Sequence, residues 1–165
     1  MKKIYLTFIS LWFASSAQGK DIQIEKLINR QAINCEMPNP ILNLVNDVTQ
    51  QTRKGIRVNK DKQTIQLDQN KYLGVQAYQF YKTKHVEQHD FAVNFKAYGV
   101  DVIKIALQGI KTSESESGAY YLIFKGSPTD VVYHLRKVMG NDWNIENTLE
   151  ETPQGNSKLM CVYAG

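Results

Sequence analysis

After Phe13 the chain has no apolar run approaching the roughly 20 residues that a bilayer span needs. It has no Gly-x-Ser-x-Gly and no serine or cysteine with an evident base beside it, so no activated nucleophile is offered. A glycine-rich phosphate loop is missing too. Gly126-Ser127-Pro128 carries a single glycine and reads as a strand-to-helix turn, and Asp130 opposes an anion at that helix start. Histidine and cysteine are scarce, at three and two residues. Two cysteines with no histidine near them in sequence make a poor metal site. Charge of one sign is in short supply as well: the formal net charge of +4 includes Lys2 and Lys3 and falls to +2 without residues 1–19. That is too little to draw in nucleic acid or an anionic membrane by itself.

What is present begins with a leader pattern. Met1-Lys2-Lys3 is a short basic start, Ile4 to Phe13 is apolar apart from Thr7 and Ser10, and Ala14-Ser15-Ser16-Ala17 supplies small residues. This is the three-part arrangement of a secretory signal peptide over residues 1–19, cut after Ala17 or Gly19. The 146 residues from Lys20 to Gly165 then make one domain, expected to be exported to the periplasm or secreted. In that setting Cys35 and Cys161, the only pair available, are expected to form a disulfide that closes nearly the whole chain.

The segment that organises the rest runs from Gly118 to Gly140. Tyr120, Leu122 and Phe124 alternate with Tyr121, Ile123 and Lys125, so both faces of the strand are largely apolar and it belongs in the middle of a sheet. Gly126 ends it, Ser127 caps a helix with Pro128 at its first position, Val131, Leu135 and Val138 form the apolar stripe, and Gly140 stops it. Upstream, Asp21 is expected to cap a helix over 21–34 with Ile24, Leu27 and Ile28 on one face. A second helix from Asn39-Pro40 to Lys54-Gly55 buries Ile41, Leu44, Val45 and Val48 and turns Asp47 outward.

From Ile56 the period becomes two. A small hairpin is expected over 56–67, then a strand from Tyr72 to Lys82 whose change of parity calls for a bulge near Ala77 or burial of both faces. His85 to Asp90 reads as a polar connection. Strands follow at Phe91–Ala97 and Val100–Leu107, with Ile103, Ile105 and Leu107 as the apolar row of the second. Lys111 to Ser117 reads as a polar loop, where Glu114 and Glu116 are solvated, and Glu150 to Ser157 as another before the closing strand Leu159–Ala164. The expectation is an α+β domain: an antiparallel sheet of five to six strands, with two N-terminal helices and one C-terminal helix on one face.

Site candidates are few. His85 and His89 stand four apart, a spacing that puts both imidazoles on one side, but no third metal ligand is placed by the sequence; no cofactor is expected. Eight of the nine tyrosines follow the leader, and several are interleaved with lysine where a solvated face would carry shorter polar residues. Tyr78, Lys82, Lys84, Lys96 and Tyr98 are therefore the expected binding surface, on the side of the sheet without helices. Two functions fit. One is a non-enzymatic exported domain, of inhibitor, immunity or envelope-accessory type, with a protein partner in the cell envelope. The other is a small-molecule or glycan-binding domain, with or without hydrolytic activity, using a tyrosine-lined concavity between sheet and helices.

Overall fold

A computed structural model describes residues 19–51, 56–111, 116–141, 143–144 and 148–164, so the leader expected at 1–19 lies, but for Gly19, outside the described residues, as do Lys54, Gly55 and Glu114. In chain order the elements are β1 (Asp21–Gln23), a 3-10 turn (Ile24–Leu27), α1 (Arg30–Ile33), α2 (Asn39–Gln50), β2 (Val58–Asn59), β3 (Thr64–Leu67), β4 (Asn70–Leu73), β5 (Val75–Lys82), β6 (Val86–Ala97), β7 (Val100–Lys111), β8 (Glu116–Phe124), α3 (Pro128–Met139), β9 (Leu149–Glu151) and β10 (Ser157–Ala164). Six strands form an antiparallel sheet in the order β5-β6-β7-β8-β10-β9, and four short ones form a second sheet, β1-β4-β3-β2, in which β1 and β4 are parallel. This is the expected α+β body, with a second small sheet added.

β8 lies inside the large sheet, between β7 and β10, because it has apolar side chains for both faces. Tyr120, Leu122 and Phe124 join the main core beneath the helices, while Tyr121 and Ile123 pack with Ala106, Ile103 and Met160 on the other side. α3 forms as its signals direct: Ser127 Oγ accepts from the Asp130 N–H, Pro128 is at N1, and Gly140 closes the helix at φ +99°. Val131 and Leu135 are buried, but Val138 is 37% exposed, so the stripe stops short of the last turn.

The covered face is built from consecutive cross-strand rows. One row is Tyr78–Phe91–Ile105–Leu122–Leu159, and the next is Phe80–His89–Leu107–Tyr120–Cys161. Ile103 is not in this series. The register shift between Val102 and Lys104 moves it to the opposite face, leaving Val102, Ile105 and Leu107 in the core. The bulge expected in β5 falls between Val75 and Ala77.

Four segments differ from the sequence reading. Residues 21–34 do not form one helix: Gln23 makes no cap, Asp21–Gln23 pairs in parallel with Lys71–Leu73, and Asp21 meets Lys71 at 2.7 Å. The effective cap is Asn29, whose Oδ1 accepts from the Ala32 N–H at 3.0 Å, and it starts only the short α1. Ile24, Leu27 and Ile28 are still buried, from a 3-10 turn and the residue after it. The expected strand Tyr72–Lys82 is cut at Gly74, φ +89°, which sends β4 to the small sheet and β5 to the large one. Residues 86–90 are strand rather than connection, because each polar side chain there has a cross-strand or same-strand partner, as described below. Leu149–Glu151 is likewise an edge strand, on β10.

Asp47 points inward instead of out. It is 8% exposed and accepts from the Tyr72 hydroxyl at 2.6 Å and from Asn70 Nδ2 at 2.8 Å, which fastens α2 to β4. The far end of the N-terminal segment is fastened by the Cys35–Cys161 disulfide and by the Tyr120 hydroxyl, which donates to the Ala32 carbonyl at 2.9 Å.

Two outcomes are expected from this packing. Replacing both cysteines by serine removes a bridge spanning 126 residues and lowers unfolding free energy by up to about 4–5 kcal/mol in a denaturant titration. Second, burial raises the pKa of Tyr72, Tyr120 and Tyr121, with the Asp47 hydrogen bond adding to it at Tyr72. The folded state therefore holds phenolic protons that the unfolded chain releases above about pH 10. Stability is intact below that pH and falls above it, by up to about 1.4 kcal/mol per pH unit for each tyrosine. Tyrosinate absorbance followed against pH should rise for these three in one step, together with loss of circular dichroism; separate titration in a still folded chain would contradict this packing.

Candidate functional site

The next row on the covered face after Phe80–His89–Leu107–Tyr120–Cys161 is Lys82–Glu87–Gly109–Gly118–Tyr163. Its two middle positions have no side chains. α2 crosses above with Val45, Val48 and Thr49, and because no side chain rises from Gly109 to meet it, a cleft of about 410 Å³ opens between helix and sheet. That volume lies in the range of small-molecule sites.

The two glycines are not equivalent. A Cβ on Gly118 would lie 2.3 Å from ring carbons of Tyr163, so the ring rests directly on that backbone. A Cβ on Gly109 would have no contact closer than 4.0 Å, to the Glu87 carbonyl oxygen. Gly118 is thus required by the packing of Tyr163, and Gly109 leaves space. Leu107, Val45 and Val48 give the cleft an apolar interior, and desolvation raises the pKa of the Tyr163 phenol, which stays a neutral hydrogen-bond donor.

Polar groups gather at the sheet end. The β5–β6 hairpin closes through the Thr83 N–H, which donates to the Val86 carbonyl at 2.8 Å, and Lys84 and His85 sit at its tip on the cleft. Lys82 Nζ meets Glu87 Oε2 at 3.0 Å. Glu87 Oε1 lies 3.6 Å from His89 Nε2, and His89 Nδ1 shares a 2.8 Å hydrogen bond with the Tyr78 hydroxyl. A neutral imidazole with its proton on Nε2, facing the carboxylate, accepts from the phenol at Nδ1 and satisfies both contacts. His89 is 7% exposed, with the Phe80 ring 4.9 Å from its own.

His85 and His89 therefore line one cleft, but by different routes, one at a turn and the other inside the sheet. Among the described residues no group of three or more His, Cys, Asp or Glu is arranged to hold a metal ion, and no cysteine is free. Of the residues expected to form a binding surface, Lys82 and Lys84 come together at the cleft. Tyr78 and Tyr98 do not lie on the uncovered face. Both are half-buried against the main core, Tyr78 with its ring tilted against Phe91 at a centroid distance of 5.4 Å and Tyr98 at the β6–β7 turn with φ +53°. Lys96 is exposed and pairs with Asp101 at 3.3 Å, at the opposite end of β6 from the cleft. The physical reason is parity: Tyr78 shares the face of Phe80 and Phe91, which the helices cover.

The uncovered face is instead organised by Asp90, which is 4% exposed although no helix lies over it. It accepts from Lys104 Nζ and Gln88 Nε2, each at 2.7 Å, and Gln88 in turn accepts from Gln108 at 3.1 Å. Tyr121 packs beside them, with Lys158 Nζ 5.4 Å from its ring centroid. At this sheet's edges Tyr81 and Val162 are 49% and 66% exposed, in one cross-strand row.

Gly109, Tyr163 and the underside of α2 were not singled out by sequence reasoning. The signal available was a glycine inside each of two adjacent strands, which marks a close approach or a missing side chain. No family model, no curated protein and no solved structure matches the chain.

The glycine pair can be separated by mutation. Gly109→Val adds a β-branched residue to open space, so the melting temperature should hold or rise slightly. Gly118→Ala forces the Tyr163 ring off its seat and should destabilise by about 1–3 kcal/mol, as overpacking does. Equal losses for both variants would show that the row is uniformly packed.

Proposed function

We propose that this chain is an exported, non-enzymatic binding domain that holds a small-molecule ligand in the cleft between α2 and the sheet. The observation that carries this reading is Gly109, an interior strand position facing α2 whose missing side chain keeps the cleft open without any steric need. Apolar walls with a few convergent polar groups are what small-ligand sites present. The leader pattern at 1–19 and the Cys35–Cys161 bridge support export to the periplasm or beyond. Among the described residues no helix is long and apolar enough to cross a membrane.

A second reading, a protein partner in the cell envelope, is favoured by one feature, the exposure of Tyr81 and Val162 on the uncovered face. Native mass spectrometry of the protein recovered from the exported fraction separates the two. The expected spectrum shows a chain beginning at Gln18 or Lys20, carrying a non-covalent small mass that is lost in Gly109→Val. A bound polypeptide that survives Gly109→Val and is lost in Tyr81→Ala would select the protein-partner reading instead.

A further inference from the structure

The charges around the cleft define the chemistry of what enters it. Among the described lining residues Glu87 is the only carboxylate, and it is already engaged by Lys82 at 3.0 Å, with the His89 imidazole 3.6 Å away on its other oxygen. The second lining lysine, Lys84, stands on the hairpin tip at the mouth with no acidic lining residue left to face. Inside, the walls are aliphatic, and Tyr163 offers a neutral phenol that donates a hydrogen bond. Among the described lining residues the electrostatic excess is therefore one positive charge, at the entrance of an apolar, partly desolvated slot.

We infer that the cleft takes an amphipathic organic anion, its apolar body under Val45 and Val48 and its carboxylate or sulfonate at the mouth beside Lys84. This rests on the cleft being the binding site, and adds the ligand's charge and polarity. Lys84 is a specificity-determining residue here. It acts through charge alone, since its exposed position on a turn has no packing role to lose. A cation meets Lys84 unfavourably, and a fully polar anion leaves Leu107, Val45 and Val48 unmatched.

The test uses two fluorescent probes with one aromatic skeleton: 8-anilinonaphthalene-1-sulfonate, an anion, and N-phenyl-1-naphthylamine, its neutral counterpart. Titrated into the disulfide-bonded protein, the sulfonate should bind more tightly than the neutral dye. Lys84→Gln should weaken the sulfonate about two- to fivefold, the range for one solvent-exposed charge, and leave the neutral dye unchanged. The sulfonate's advantage should shrink with added salt. Gly109→Val, checked for an unaltered melting temperature, should weaken both dyes. If both dyes bind equally and Lys84→Gln changes neither, the anionic class is wrong while the cleft stands. If neither binds, or Gly109→Val leaves both unaffected, the cleft itself is not the site and both readings fall.

Discussion

The attachment of the N-terminal segment to the row containing Tyr120 and Cys161 is the constraint on which the covered face depends. The disulfide at Cys35 and the Tyr120 hydroxyl on the Ala32 carbonyl hold the chain against the sheet just before α2 begins. Further along, Asp47 takes donors from Tyr72 and Asn70. A helix held at both of these points cannot settle into the space below it. A hydrogen bond from a phenol to a buried carboxylate is stronger than a neutral one, and its loss would leave Asp47 desolvated with one donor fewer. The helix is thereby attached on either side of the cleft that it overlies.

The polar start of β6 shows how the same sheet serves two environments. Glu87 and His89 point toward the cleft, while Gln88 and Asp90 point to the uncovered side, as alternation along a strand requires. Each side then satisfies its own groups: Lys82 and Tyr78 on one face, Lys104 and Gln108 on the other. Four consecutive polar residues can be strand because every one of them has a partner from a neighbouring strand or the next residue on its face. A run of that composition reads as a loop only while those partners are unknown.

This is also the measure of what the sequence disclosed. Period-two alternation in Tyr120–Phe124 and the Ser127-Pro128 start were sufficient for β8 and α3, because burial on both faces and capping are local properties. The disulfide followed from having one pairing to choose. Residues 21–34 misread because Ile24, Leu27 and Ile28 have the spacing of a helix face and of a 3-10 turn alike, and only the pairing of Asp21–Gln23 with Lys71–Leu73 decides between them. Lys82, Lys84, His85 and His89 were visible as a cluster, yet the face each one occupies depends on the register of β5 against β6. Tyr78 was assigned to the wrong side for that reason. The cleft was illegible because it is defined by a missing side chain at Gly109 under a helix far earlier in the chain, a pairing that the strand pattern alone does not show.

The two glycines of this row have unequal causes. Glycine inside a strand costs roughly 0.5–1 kcal/mol relative to alanine, through chain entropy and lost packing. At Gly118 the cost is offset, since any Cβ would collide with the Tyr163 ring that rests on this backbone. At Gly109 nothing among the described residues offsets it: the backbone is not in the left-handed region, and the nearest described atom to a Cβ is at ordinary contact distance. Departures of this kind, where a local choice opposes stability, are the exceptions to consistency between sequence and fold. The neighbours of Gly109 point the same way, because Leu107 in the previous row and Glu87 beside it line the volume that its missing side chain leaves empty.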